Sequence, residues 1–174
     1  MKLPSRVTSR IITGVMTVCI ALSAVNTSAD QDHPGLDPLF SQLKTAPDQA
    51  TADRITGEIW SLWREVGNPA VANAMAQGAR AMSSKRYRSA YQYFSEVIDR
   101  APDFAEGWNK RATVLFLAKA YDRSIRDIKE VLRLEPRHFG ALSGLGLISL
   151  RQGQFRPATQ AFRDALAINP YLPR

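Results

Sequence analysis

The sequence predicts an all-α protein, an α-α superhelix built from three 34-residue helical hairpins with a degenerate hairpin before them. Three observations predict it. Pro102, Pro136 and Pro170 stand 34 residues apart, and stepping back from them gives columns of one chemical type: Tyr87, Tyr121 and Phe155; Ala90, Ser124 and Ala158; Phe94, Ile128 and Phe162; Val97, Val131 and Ala165. Further upstream lie a column of very small residues, Gly78, Ala112 and Gly146, and an apolar one, Ala74, Trp108 and Leu142. Within a unit the spacing is helical: Trp108, Ala112 and Leu115 share one face, and after a turn Ile125, Ile128 and Val131 share another. A period of this length marks an array in which each unit buries its apolar face against its neighbours.

The chain opens with Lys2, Arg6 and Arg10, followed by an uncharged stretch from Ile11 to Val25 and the small residues Thr27-Ser28-Ala29. This order reads as a Sec signal peptide over residues 1–29, cut after Ala29. The 15-residue stretch is shorter than the roughly 20 residues a spanning helix needs, which argues against an uncleaved anchor. Cys19 follows Val18, where a lipidated cysteine wants a small residue, so a lipoprotein is disfavoured. The predicted address is the periplasm of a Gram-negative bacterium. Removing 29 of 174 residues leaves 145 without a cysteine, suited to an oxidising compartment.

Residues 30–69 read as the degenerate hairpin. Leu36, Leu39, Phe40 and Leu43 give a short amphipathic helix that stops before Pro47, and Ile55, Ile59, Trp63 and Val66 give a longer one ended by Gly67-Asn68-Pro69. Two readings stay open: a cap for the array, or a docking element that folds back onto the groove. Three units follow, 71–104, 105–138 and 139–172. In each, the small residue lets the two helices approach, the large ring after the turn fills the space between hairpins, and the proline ends the second helix.

These residues resemble the tetratricopeptide repeat, whose pattern has Trp, Leu, Gly and Tyr in the first helix and Ala, Phe, Ala and Pro in and after the second. Gly78, Ala90, Phe94 and Pro102 carry the match in the first unit, and Trp108 and Pro136 in the second. The third supplies Leu145, Gly146, Ala158, Phe162, Ala165 and Pro170. Gln77 and Arg111 depart from the pattern at the Leu place and Ser124 at the Ala place, and Arg111 puts apolar packing there in doubt. The stretch Ala105-Glu106-Gly107-Trp108-Asn109-Lys110-Arg111-Ala112 also resembles small exported repeat proteins of alphaproteobacteria.

The resemblance implies a concave groove lined by the first helices, taking an extended peptide or a partner helix. Its predicted lining is Met75, Ala79 and Met82 in the first unit, Asn109, Lys110, Thr113 and Phe116 in the second, and Ser143, Leu147 and Leu150 in the third. Glu106 and Gly140 occupy groove places as well. The family's carboxylate clamp is missing, since Met75, Ala79, Gly140 and Gly144 stand where its charged residues would be. The groove is therefore expected to bind an apolar or amphipathic segment of a protein or peptide partner, with Asn109 and Lys110 meeting its backbone or an acidic group. Occupancy by the chain's own N-terminal segment or by a second copy is the competing reading.

Hydrophobic residues at 45% and charged residues at 22% exclude a disordered or multi-span chain. The net charge of +7 falls to +4 without the leader and is unevenly spread: residues 30–66 carry 7 acidic and 3 basic groups, residues 67–174 carry 9 and 17. Lys85, Arg86 and Arg88 crowd one turn, and Arg123, Arg126, Lys129 and Arg133 follow one helix. This basic convex face raises an alternative function, attachment to an anionic membrane or cell-wall polymer, while export argues against nucleic acid. No nucleophile motif, phosphate loop or metal-ligand spacing is present, so no enzyme, cofactor or metal is expected. Both histidines, His33 and His138, read as solvated, and Asp127 with Glu130 as surface ion pairs. The predicted edge at Leu166, Ile168 and Leu172 lies uncovered at the end of the array and suggests a homodimer.

Overall fold

The computed structural model describes residues 33–173, so the leader read over 1–29 lies outside the described part. Among the described residues the chain forms eight α-helices and no strand. Three hairpins make the array: α3 (Pro69–Ser83) with α4 (Tyr87–Arg100), α5 (Ala105–Leu117) with α6 (Tyr121–Leu134), and α7 (Phe139–Arg151) with α8 (Phe155–Ile168). A fourth, α1 (Leu36–Lys44) with α2 (Gln49–Trp63), precedes them. The all-α superhelix read from the period is the fold observed.

Each array hairpin turns in the same way. Lys85, Lys119 and Gly153, again 34 apart, are left-handed with φ of 58°, 60° and 71°. The next N–H then donates to a carbonyl five residues back, Arg86 to Ala81, Ala120 to Leu115 and Gln154 to Ser149, each at 2.8 Å. These bonds use helix-end carbonyls that would otherwise lack a partner. A residue with a side chain is strained there by about 1–2 kcal/mol, so the glycine turn is the relaxed one of the three.

Close approach decides the small column. A Cβ on Gly78 would lie 2.5 Å from the Phe94 ring, and one on Gly146 would lie 2.6 Å from Phe162. Phe94, fully buried, lies directly on the helix opposite. The departures from the repeat pattern are satisfied by hydrogen bonds. Ser124, also fully buried, donates its hydroxyl to the Ala112 carbonyl at 2.8 Å. Arg111 grips Asp127 with two bonds of 2.8 and 2.9 Å and donates to Ser95 of α4 at 3.2 Å, its guanidinium lying 4.9 Å from the centre of the Trp108 ring. Asp127, expected at the surface, is therefore the buried half of an ion pair within the α5–α6 hairpin, and the Arg111 bond to Ser95 ties that hairpin to α4. Its hydrogen bonds hold Arg111 firmly charged, raising the guanidinium pKa.

The N-terminal hairpin does not stack in series on α3. Leu36, Phe40, Leu43, Ile55, Ile59 and Trp63 share one apolar cluster with Phe139 and Ala165 of the third hairpin. The Val71 and Ala74 side chains of α3 instead pack with Val97 and Phe104. The physical reason lies in the turns after α6 and α8. There Glu135 and Asn169 occupy equivalent buried places. One oxygen of Glu135 accepts the Arg137 N–H at 2.9 Å, and the other lies 3.4 Å from the Trp63 indole nitrogen. Asn169 accepts the Tyr171 N–H at 3.0 Å and donates to the Thr56 hydroxyl at 3.1 Å. The first turn has Ala101 at this place, which offers no side-chain partner. Arg137 adds an ion pair to Asp37 and lies 4.4 Å from the centre of the Phe40 ring, and the Tyr171 hydroxyl donates to the Ala46 carbonyl. The acidic segment thus closes the far end of the basic array. The edge expected to be bare is covered in part, because Ile168 and Leu172 pack against this cluster while Leu166 stays half-buried.

Candidate partner-binding groove

A pocket of about 290 Å³ opens between α5 and α7, the first helices of the second and third hairpins. Asn109, Thr113, Phe116 and Leu117 form its α5 wall. Gly140, Ser143, Gly144 and Leu147 form its α7 wall, and Ile128 of α6 lies beneath. The pocket exists because α7 presents Gly140, Ser143 and Gly144 to the larger side chains of α5. Its polar groups are already engaged within the chain. Thr113 donates to the Asn109 carbonyl at 2.9 Å, Ser143 to the Phe139 carbonyl at 2.8 Å, and the Asn109 amide to Glu106 at 2.7 Å. What remains is an apolar cleft edged by Leu117 and Leu147, 42% and 44% exposed.

Six of the predicted groove residues meet here: Asn109, Thr113, Phe116, Gly140, Ser143 and Leu147. Leu150 is exposed on α7 beyond the pocket lining, and Met75, Ala79 and Met82 are apart from it on α3. Met75 and Met82 pack against the buried cores of the first hairpin, so the adaptable methionine surface is mostly spent on folding. Lys110 is occupied too, its ammonium 2.9 Å from a Glu106 oxygen. Leu117 was missed, although its place four residues after Thr113 puts it on the same helical face.

At Gly140 the pocket wall abuts α2. Gly140 lines the pocket, and a Cβ there would lie 2.7 Å from the Trp60 ring. Trp63 stacks face to face on His138, ring centres 4.3 Å apart. His138, expected to be solvated in a turn, is fully buried: its Nδ1 accepts the Ala141 N–H at 3.0 Å, capping α7, while Nε2 lies 3.4 Å from Glu106. Burial pushes the Glu106 carboxyl up, but the facing His138 and the Lys110 ammonium together outweigh it and hold the group below the ordinary glutamate value of 4.5. Glu106 is thus a buried carboxylate at the foot of the groove. Among the described residues no three His, Cys, Asp or Glu side chains group as metal ligands, and no helix is long and apolar enough to cross a membrane.

A tetratricopeptide repeat family model matches residues 75–128 and 121–173, a little over half of the chain. The chain belongs to the tetratricopeptide repeat family. A TPR repeat-containing protein of Rhizobium etli is 40% identical over 135 residues, covering 78% of this chain and 66% of that protein. The small glutamine-rich tetratricopeptide repeat-containing protein 2 of Saccharomyces cerevisiae is 30% identical over 92 residues, 53% of this chain and 27% of its own length. The chain therefore spans about two thirds of the first relative and about a quarter of the second. Among solved structures, the TPR2B domain of yeast Sti1, in complex with pHsp70, superposes with a TM-score of 0.58 at 18% identity over 60% of this chain and 84% of that one. MamA from Desulfovibrio magneticus gives 0.55 at 18% identity over 79% and 77%. At that identity these two show the shared fold. Tetratricopeptide repeat proteins are in general non-catalytic modules that bind proteins or peptides, and membership of the family points to a protein–protein interaction module here.

Proposed function

We propose that this tetratricopeptide repeat protein acts in the periplasm as a non-catalytic adaptor, binding an apolar or amphipathic segment of a partner protein between α5 and α7. The observation that carries the proposal is the α5–α7 pocket, apolar and open at Leu117 and Leu147 while its hydroxyls and amide are satisfied internally. The Sti1 domain, solved as a complex, supports the idea that such an array receives a segment of another protein. The leader over 1–29 supports export, and N-terminal sequencing of the protein recovered from cells should begin at Asp30. Photo-crosslinking from position 147 in cells should give adducts that Phe116→Asp abolishes, while position 129 on α6 gives none. Equal yields from both positions overturn the groove reading. Salt-sensitive sedimentation with anionic vesicles through Arg126, Lys129 and Arg133, together with no adduct from position 147, would favour attachment by the basic face.

A further inference from the structure

On α7, Gly140 and Gly144 are one helical turn apart on the face that lines the pocket. The space in front of Gly140 is filled by the Trp60 ring, which α2 delivers together with Trp63 three residues on. The space in front of Gly144 is open. A Cβ placed there would meet only the Ile128 methyl, at 3.6 Å.

We infer that the pocket beside Gly144 is a socket for one large aromatic side chain carried on an amphipathic helix of a partner protein. The inference rests on the groove reading above and names what enters the groove. Three observations carry it. Gly140 both lines the pocket and lies against the Trp60 ring, so the socket adjoins an interface within the chain where α7 already receives a tryptophan from another helix. The volume of about 290 Å³ lies at the small end of the range for ligand pockets, which suits a single side chain rather than a whole peptide. The Phe116 ring and Leu147 flank the opening, and with the Thr113 and Ser143 hydroxyls turned onto backbone carbonyls the walls present carbon to an incoming ring. A helix brings such a ring in as α2 does, with an anchor repeated at three- or four-residue spacing.

The probe is a stapled amphipathic peptide with a single tryptophan, and its Trp→Ala counterpart, titrated into the isotope-labelled protein and followed by amide chemical shifts. The tryptophan peptide should give saturable shifts at Thr113, Ser143 and Gly144, and the alanine peptide should bind about tenfold more weakly or worse. Gly144→Leu fills the socket and should remove the tryptophan preference. Gly144→Ala, whose methyl makes an ordinary contact with Ile128, should weaken binding while keeping the wild-type circular dichroism and a melting temperature no lower than the wild type's. Equal affinity for the two peptides, tryptophan-peptide binding unchanged in Gly144→Leu, or shifts confined to Gly140 and its surroundings would overturn the inference. Adducts from position 147 that persist in Gly144→Leu leave the groove reading standing and remove the socket. Absence of adducts in the wild type removes the groove reading itself, and an adduct of twice the chain mass replaces the partner helix with a second copy.

Discussion

Gly140 and Gly144 stand one turn apart on α7 and meet opposite surroundings. Against Gly140 lies Trp60, with Trp63 and His138 stacked beside it and the Glu106 carboxylate below; against Gly144 there is space and one methyl group. The same residue type serves two ends: close approach between elements of one chain, and vacancy that another molecule can use. A glycine column alone does not tell these apart, because the difference lies in what packs in front of it.

Removing the anchor should do most to that contrast. Trp63→Ala takes out the ring shared by His138, Phe139 and Phe40, and should lower unfolding free energy by about 3–5 kcal/mol, read by chemical denaturation. Hydrogen exchange should then show faster exchange in α1 and α2 than in α3 to α6. Uniform loss of protection across the chain would mean that the hairpin and the array unfold as one unit. The glycines themselves come next. Gly140→Ala forces the Trp60 ring aside and should cost about 1–3 kcal/mol. Gly144→Ala should be neutral or stabilising by about 0.5–1 kcal/mol, since a helix interior favours alanine.

Acid should act on the closed end and leave the open one alone. The folded protein holds the Glu106 carboxyl below 4.5, so its contribution to stability is complete above that pH and is lost as pH falls through the lower, folded value. Melting temperature should drop in that acid window, and Glu106→Gln should flatten the drop. A variant with the wild-type profile would show that other carboxylates control it. The smallest effect belongs to the turns. Lys119→Gly relieves a left-handed lysine with φ of 60° and should raise stability by about 0.5–1 kcal/mol, whereas the third turn already has its glycine.

The array was legible because its information is periodic: Pro102, Pro136 and Pro170 set the unit, and the Gly78 and Gly146 column set the approach of helices within it. The hairpin over 36–63 was legible as helices, from Leu36, Phe40 and Leu43 and from Ile55, Ile59 and Trp63, but its docking place was not. That place depends on Glu135 and Asn169, polar residues whose partners Trp63 and Thr56 share no period with them. Their occurrence before Pro136 and Pro170, where the first unit has Ala101, was the available signal. His138 was misread for the same reason, since nothing near it in sequence announces the Trp63 ring. Helical spacing alone brought Asn109, Thr113, Phe116, Ser143 and Leu147 to one pocket. Lys110 lies outside that pocket lining and pairs with its buried neighbour one turn back, Glu106, which spacing does not announce.

The bonds that seat the hairpin join residues far apart in the chain, 72 positions from Trp63 to Glu135 and 125 from Ala46 to Tyr171. A repeat array ordinarily folds by adding neighbours, and its terminal unit frays first. Here the last unit is latched to α1 and α2, so a few long-range contacts are added to the local contacts of the stack. During synthesis α1 and α2 must wait, their tryptophans uncovered, until the last turn exists. Folding should therefore show a late slow phase reporting on tryptophan burial, and deletion of residues 169–173 should release α1 and α2 as readily as a lesion in α2 itself.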